Sequence, residues 1–188
     1  FVPGAAMSTQ APKFEKLALL GRRDVLRDYL PHARRHGITV LAYINLHWFS
    51  YDFAAAHPGW EQMLAEGVPY GRRHPLYGNG TTMCVNSPWR EWAFELIQET
   101  MRTGVAGAFL DGPLVYPGAC YCESCRRGFA ESCGGPPPAE PDWSSELWRK
   151  WVEFRETSMA RFLADARAAL RRVHPEGVIY LNGGRYTG

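Results

Sequence analysis

The residues best able to do chemistry begin with a run of thiols. Cys120-Tyr121-Cys122-Glu123-Ser124-Cys125 puts three cysteines within six residues, and Cys84 and Cys133 bring the total to five. Thiols so crowded do not readily form separate disulfides, but they can converge on one tetrahedral ion, and zinc suits sulfur ligands. Cys120, Cys122 and Cys125 are therefore candidate ligands, with Cys84 as the fourth. A closed four-thiolate site leaves no position for water, so such a zinc is structural and not catalytic. Free buried thiols, or a Cys122–Cys125 redox pair, are the competing readings. Cys133 is left over as an ordinary thiol.

The second chemical feature is a carboxylate at a strand end. The apolar run 105–112 finishes in Asp111-Gly112-Pro113. A buried strand opening into a Gly-Pro turn should bring the Asp111 carboxylate out at its carboxyl end. Gly112 permits an unusual φ, Pro113 stiffens the exit, and a metal clip further on would hold the loop. That is suitable pre-organisation for a catalytic carboxylate. The plainer alternative is an aspartate that caps the turn by accepting backbone N–H groups. Asp52, Glu61 and Glu123 fall in loops and read as solvated.

Elements that could position these residues alternate along the chain. Residues 22–36 have helical apolar spacing with Pro31 inside, which should kink or split the helix, and Gly37 as a stop. Residues 38–44 form a continuous apolar and β-branched run, as in a strand covered on both faces. A long connection, 45–86, carries turn signals and is of the length that is usually functional. Ser87 caps the next helix, with Pro88 at its first position and Gly104 at its end. The strand 105–112 follows, then a helix over 122–132, and a linker, GGPPPAEP (134–141). Asp142 is placed to cap an amphipathic helix over about 143–173. Residues 178–184 make a third strand.

Strand–helix–strand alternation with apolar strands means a parallel sheet, and function gathers at the carboxyl ends of such strands. The fold class is α/β, of the (β/α) TIM-barrel type. Three clear strands against the eight of a closed barrel make it incomplete. The other strand ends supply Asn45, His47 and Trp48, then Asn182 and Arg185. These are candidate substrate-binding residues: amides and a guanidinium to hydrogen-bond a ligand, an imidazole and an indole to line a subsite. His47 can equally be a hydrogen-bonded structural histidine, and Asn182 and Arg185 can be turn residues.

The chain has 188 residues, enough for one domain: a partial catalytic barrel over 1–188 with a zinc-clip region at 84–133. A net charge of +2 gives no reason to expect nucleic acid or an anionic membrane surface as partner. No apolar run approaches the roughly 20 residues needed to span a bilayer. The start, FVPGAAMSTQ, shows no signal peptide and no initiator Met, so the expectations are a cytoplasmic location and a piece of a longer chain. Aromatics at 13% fit either core packing or sugar platforms. An open partial barrel leaves sheet edges and an apolar face uncovered, which points to a homo-oligomer.

The motifs also carry a family likeness. HPGW (57–60), a G-x-P turn, Cys84-Val85-Asn86-Ser87-Pro88, and FLDGP followed by CYCESCRRGF resemble a segment of glycoside hydrolase family 42 β-galactosidases. They resemble more closely a related group of hypothetical glycosyl hydrolases, whose strand ends F-D-G-P before C-x-C-x-x-C. The resemblance covers roughly residues 38–133. It implies a TIM barrel, hydrolysis of glycosides and a structural zinc on Cys84, Cys120, Cys122 and Cys125. Family 42 enzymes carry an Asn-Glu pair where this chain has Asp111-Gly112-Pro113. An aspartate in F-x-D-G is similar instead to the nucleophile of family 29 α-fucosidases. The role of Asp111 is thus open among nucleophile, acid/base and hydroxyl binder, and the resemblance implies a second carboxylate on a later strand, beyond Gly188. Three functions follow: a glycosidase, a non-catalytic carbohydrate-binding barrel, or a zinc or thiol module.

Overall fold

The computed structural model of the protein describes Phe14, residues 18–73 and residues 78–182. The elements run α1 (Val25–Arg35), β1 (Leu41–Asn45), β2 (Phe49–Ser50), α2 (Tyr51–Ala56), β3 (Gly80–Thr81) and α3 (Trp89–Met101). They continue with β4 (Gly107–Asp111), α4 (Glu123–Cys133), α5 (Glu146–Val173) and β5 (Val178–Leu181). Two compact units interleave along the chain. The first is Phe1–Leu46, Glu91–Gly112 and Ala164–Gly183; the second is His47–Arg90, Pro113–Leu163 and Gly184–Gly188.

The first unit holds a parallel sheet of three strands in the order β1-β4-β5, which among the described residues does not close into a barrel. Asn45 is level with Asp111, and Tyr43, Phe109 and Tyr180 form one cross-strand row. Side chains alternate sharply. Ala42, Ile44, Ala108 and Leu110 are buried. On the opposite face the three rings stack in sequence, with centroids 6.0 Å and 5.4 Å apart, and Tyr43 and Tyr180 are 58% and 60% exposed. The expectation of a strand covered on both faces is therefore corrected for β1. Its period-2 burial was hidden because tyrosine sits on the open face, where a polar residue would have signalled it.

Several boundaries differ from the sequence expectation for local reasons. α1 runs unbroken through Pro31, capped by the Asp24 side chain, which accepts from Arg27 N–H. The donor that Pro31 lacks would have served the Arg27 carbonyl, in an exposed turn where water can replace it. Gly37 ends the helix as expected, at φ +66°, with Ile38 N–H bonded back to the Ala33 carbonyl. Asp142 does not cap α5. It accepts from the backbone and hydroxyl of Ser144 instead, and Ser145 takes the cap, its Oγ accepting from Trp148 N–H.

The second unit organises the long connection. β2 and β3 pair antiparallel, Phe49 with Thr81 and Ser50 with Gly80. Isolated bridges join Glu61 to Met83 and Leu64 to Ala119. Its core gathers the four clustered cysteines with Tyr116, Tyr121, Phe129, Trp148 and Trp151. Trp89 stacks on Phe162 at 5.5 Å and meets Phe49 edge-on.

Candidate functional site

Asp111 stands at the carboxyl end of the central strand, on the open face of the sheet. Gly112 turns the chain at φ +86°, the left-handed region that favours glycine. The Tyr43 hydroxyl donates to Asp111 Oδ2 at 2.6 Å, and Asn182 Nδ2 donates to Oδ1 at 2.8 Å. Both carboxylate oxygens thus accept bonds from residues of the flanking strands. Burial of its hydroxyl, then the bond to Asp111 and that carboxylate's charge, push the Tyr43 phenol well above its ordinary value, so it remains a donor. Asn45 pairs with Asp111 in the strand register, and Leu46 N–H continues the ladder onto the Asp111 carbonyl.

The cysteines form a second centre, within the second unit. The Sγ atoms of Cys84, Cys120, Cys122 and Cys125 all lie within 4.8 Å of one another, and all four residues are buried. Sulfurs about 2.3 Å from a central tetrahedral ion stand about 3.8 Å apart, so this spacing fits one ion. Cys84 and Cys125 are 3.4 Å apart, too far for a disulfide and within reach of a shared ligand. Hydrogen bonding toward the other three thiols, then burial, pushes the Cys84 thiol up; burial, then bonding toward Cys122 and Cys125, does the same to Cys120. Cys122 takes the opposite course, held down by the hydrogen bonds it receives from Cys120, Cys125 and Cys84. It is the N-cap residue of α4, and Cys125 lies in that helix's first turn. Cys133 is exposed and outside the cluster.

The surrounding motifs hold these ligands. In HPGW, His57 and Trp60 stack at 4.0 Å around Gly59, and the Trp60 carbonyl accepts from Cys84 N–H at 2.7 Å. Ser87 Oγ donates to the Cys84 carbonyl and accepts from Trp89 N–H, which starts α3. Tyr121 N–H is bonded to the Met63 carbonyl, and Arg126 grips the carbonyls of Tyr121 and Ala65. The peptide between Ala119 and Cys120 is cis.

Against known families, residues 5–112 match the profile described as Hypothetical glycosyl hydrolase 6, which is more than half of the chain. The chain belongs to that family. The match ends one residue after Asp111, so it includes Cys84 but not the other three clustered cysteines. None of the curated proteins matches this chain. Among solved structures it is similar to α-L-fucosidase isoenzyme 2 from Paenibacillus thiaminolyticus, with a TM-score of 0.71 and 21% identity over 95% of this chain and 25% of that one. It is also similar to a β-galactosidase from Bacillus circulans sp. alkalophilus, with a TM-score of 0.62 and 18% identity over 88% and 30% of the two chains. A GH42 β-galactosidase from G. stearothermophilus gives a TM-score of 0.62 and 18% identity over 88% and 28%. The chain thus spans between a quarter and a third of the length of these proteins, and at this identity the likeness is one of fold.

The other expected site residues are dispersed. Asn182 is on Asp111, as described, and Asn45 is its register partner. His47 and Trp48 belong to the second unit. His47 is partly buried and tilts against Trp48 and Tyr116, at 6.0 Å and 6.2 Å. Trp48 is fully buried and offers no ring face to a ligand, contrary to the expectation of a sugar platform. Arg185 lies outside the described residues. Asp52 is in the first turn of α2, and Glu123 opens α4. Three important residues had no signal in the sequence. Tyr43 holds Asp111. Gln62 is 1% exposed, and its carboxamide bonds Met83, Leu114 and Tyr116, tying down the segment after Asp111. Arg155 lies over the Trp148 and Trp151 rings and donates to the Ala119 carbonyl. Among the described residues, no helix is long and apolar enough to cross a membrane.

Proposed function

We propose that this protein acts on a carbohydrate by hydrolysing O-glycosidic bonds, with Asp111 as a catalytic carboxylate and a structural zinc on Cys84, Cys120, Cys122 and Cys125. The observation that carries the reading is Asp111 itself, at the carboxyl end of the central parallel strand, oriented by Tyr43 and Asn182. A carboxylate whose two oxygens both accept from neutral donors is arranged to attack an anomeric carbon or to accept from a sugar hydroxyl, and less to deliver a proton. That supports the nucleophile role over the acid role. Glycoside hydrolysis uses a second carboxyl group on the other side of the bond. The zinc would hold the chain that follows Asp111, and no part of the reaction would pass through it.

One observation favours a second reading. The strand-end residues beside Asp111 in the sheet, Asn45 and Asn182, are amides. Amides bind hydroxyls without cleaving glycosides, which suits a non-catalytic carbohydrate-binding barrel. Hydrolysis of aryl glycosides separates the two, beginning with α-L-fucoside and β-D-galactoside, the sugars in the names of the similar structures. Release of the aryl alcohol above the rate of an Asp111 variant supports the enzyme. Saturable binding without release supports the second reading.

A further inference from the structure

The four-cysteine centre carries more information than its ligand set. A divalent ion on four thiolates bears a net charge of about −2, which in a buried site must be offset by donors or positive charge. We propose that Asn86 and Arg155 are the residues that offset it, Asn86 by donating to two of the sulfurs and Arg155 by standing as a partly buried counter-charge. The inference rests on the zinc reading above.

Asn86 is built for this at both of its nitrogens. Its backbone N–H donates to Cys84 Sγ at 3.3 Å. Its Nδ2 donates to Cys125 Sγ at 3.3 Å and to Ser158 Oγ at 2.9 Å. The Ser158 hydroxyl spends its own proton on the Phe154 carbonyl at 2.8 Å, so toward Asn86 it can only accept. That fixes the amide: the NH2 group faces sulfur, and the carbonyl oxygen faces away. A thiolate is a far better acceptor than a thiol, so this orientation suits the ionised, metal-bound form of Cys125.

Arg155 is the complementary half. It lines one small internal void together with Cys84, Cys120 and Cys125. Its Nε is buried with no hydrogen-bond partner, and among the described residues it makes no ion pair with a carboxylate. Its Nη1 donates to the carbonyl of Ala119, next to Cys120, at 2.7 Å. A partly buried cation whose Nε is shut off from water is costly unless negative charge stands nearby. Burial lowers the guanidinium from its ordinary value, while Tyr121, Cys125, Glu156 and Cys120, in that order, act against that lowering. The alternative is that Arg155 only packs on two indoles and pins one carbonyl.

The test is metal affinity in the purified protein, measured by competition with a chelator of known strength, with cobalt substitution as a spectroscopic check. Wild type is expected to hold one zinc and to give sulfur-to-cobalt charge-transfer bands. A wild type that binds no metal defeats the zinc reading, and with it this inference, before any variant is compared. Given a wild type that binds, Asn86→Ala and Arg155→Gln should weaken zinc by about 10–100-fold, as loss of a supporting partner does elsewhere. Asn86→Asp, which changes charge at constant size, should weaken it further. Arg155→Lys keeps the charge but not the planar stack on the rings, and should recover most of the loss. Should Arg155→Gln fail to fold, the two Asn86 variants decide. Zinc affinity within twofold of wild type in the Asn86 and Arg155→Gln variants would overturn the proposal, as would Arg155→Lys behaving like Arg155→Gln.

Discussion

Gln62→Leu is a perturbation whose cost can be worked out from the structure. The side chain is 1% exposed, and leucine has nearly the same volume, so the change removes polar bonds without opening a cavity. Nε2 donates to the carbonyls of Met83 at 3.1 Å and Leu114 at 2.5 Å, and Oε1 accepts from Tyr116 N–H at 3.2 Å. Leucine leaves those three backbone groups without their partner. Each orphaned buried group costs about 1–3 kcal/mol, so the expected loss is about 3–9 kcal/mol. Against a typical stability of about 5–15 kcal/mol this is severe, and it corresponds to a fall in Tm of about 10 °C or more for a chain of this size. Urea melts of the two proteins, followed by tryptophan fluorescence, measure it directly. A loss below about 1 kcal/mol would show that water or a shifted backbone satisfies these groups, and that Gln62 does not tie down the segment after Asp111.

Three further outcomes are expected. Cys84→Ser should abolish stoichiometric zinc by elemental analysis and lower the unfolding free energy from urea melts by about 3–4 kcal/mol if wild type is saturated at about 100–1,000 times its Kd. Tyr43→Phe should leave melting nearly unchanged, because the ring is 58% exposed and keeps its stack on Phe109, yet lower kcat about tenfold through loss of the bond to Asp111. The exposed row of Tyr43, Leu41, Val178 and Tyr180 should make this chain self-associate when expressed alone, visible as a mass above the monomer in light scattering. A monodisperse monomer would count against that.

The parts of this protein legible in its sequence were those whose signal is local. The thiol spacing at 120–125 brought three members of the cysteine cluster together, and the fourth, Cys84, was legible because it lies just before the helix that leads into the Asp111 strand. Parallel β-α alternation and the strand-end aspartate were equally local. Gln62 was not legible: a glutamine between turn signals looks solvated, and its partners lie up to 54 residues away. Arg155 belongs to a helix where arginines are common, and only the fold puts it beside the cysteines. Trp48 was misjudged because a tryptophan after a strand end looks the same in sequence whether it faces ligand or core. Asp142 was misjudged because Ser144 and Ser145 compete for the same helix start, and the aspartate satisfies the nearer serine first.

The central claim is that Asp111 carries out the chemistry, and its most direct test is turnover of Asp111→Asn on the best aryl glycoside. Asparagine keeps the size and one acceptor oxygen for Tyr43, so the melting temperature should match wild type. With the carboxylate gone, kcat should fall by about 10³-fold or more, equivalent to at least about 4 kcal/mol of barrier. Turnover within about tenfold of wild type, in a variant that melts normally, would contradict the claim and leave Asp111 as a turn or hydroxyl-binding residue.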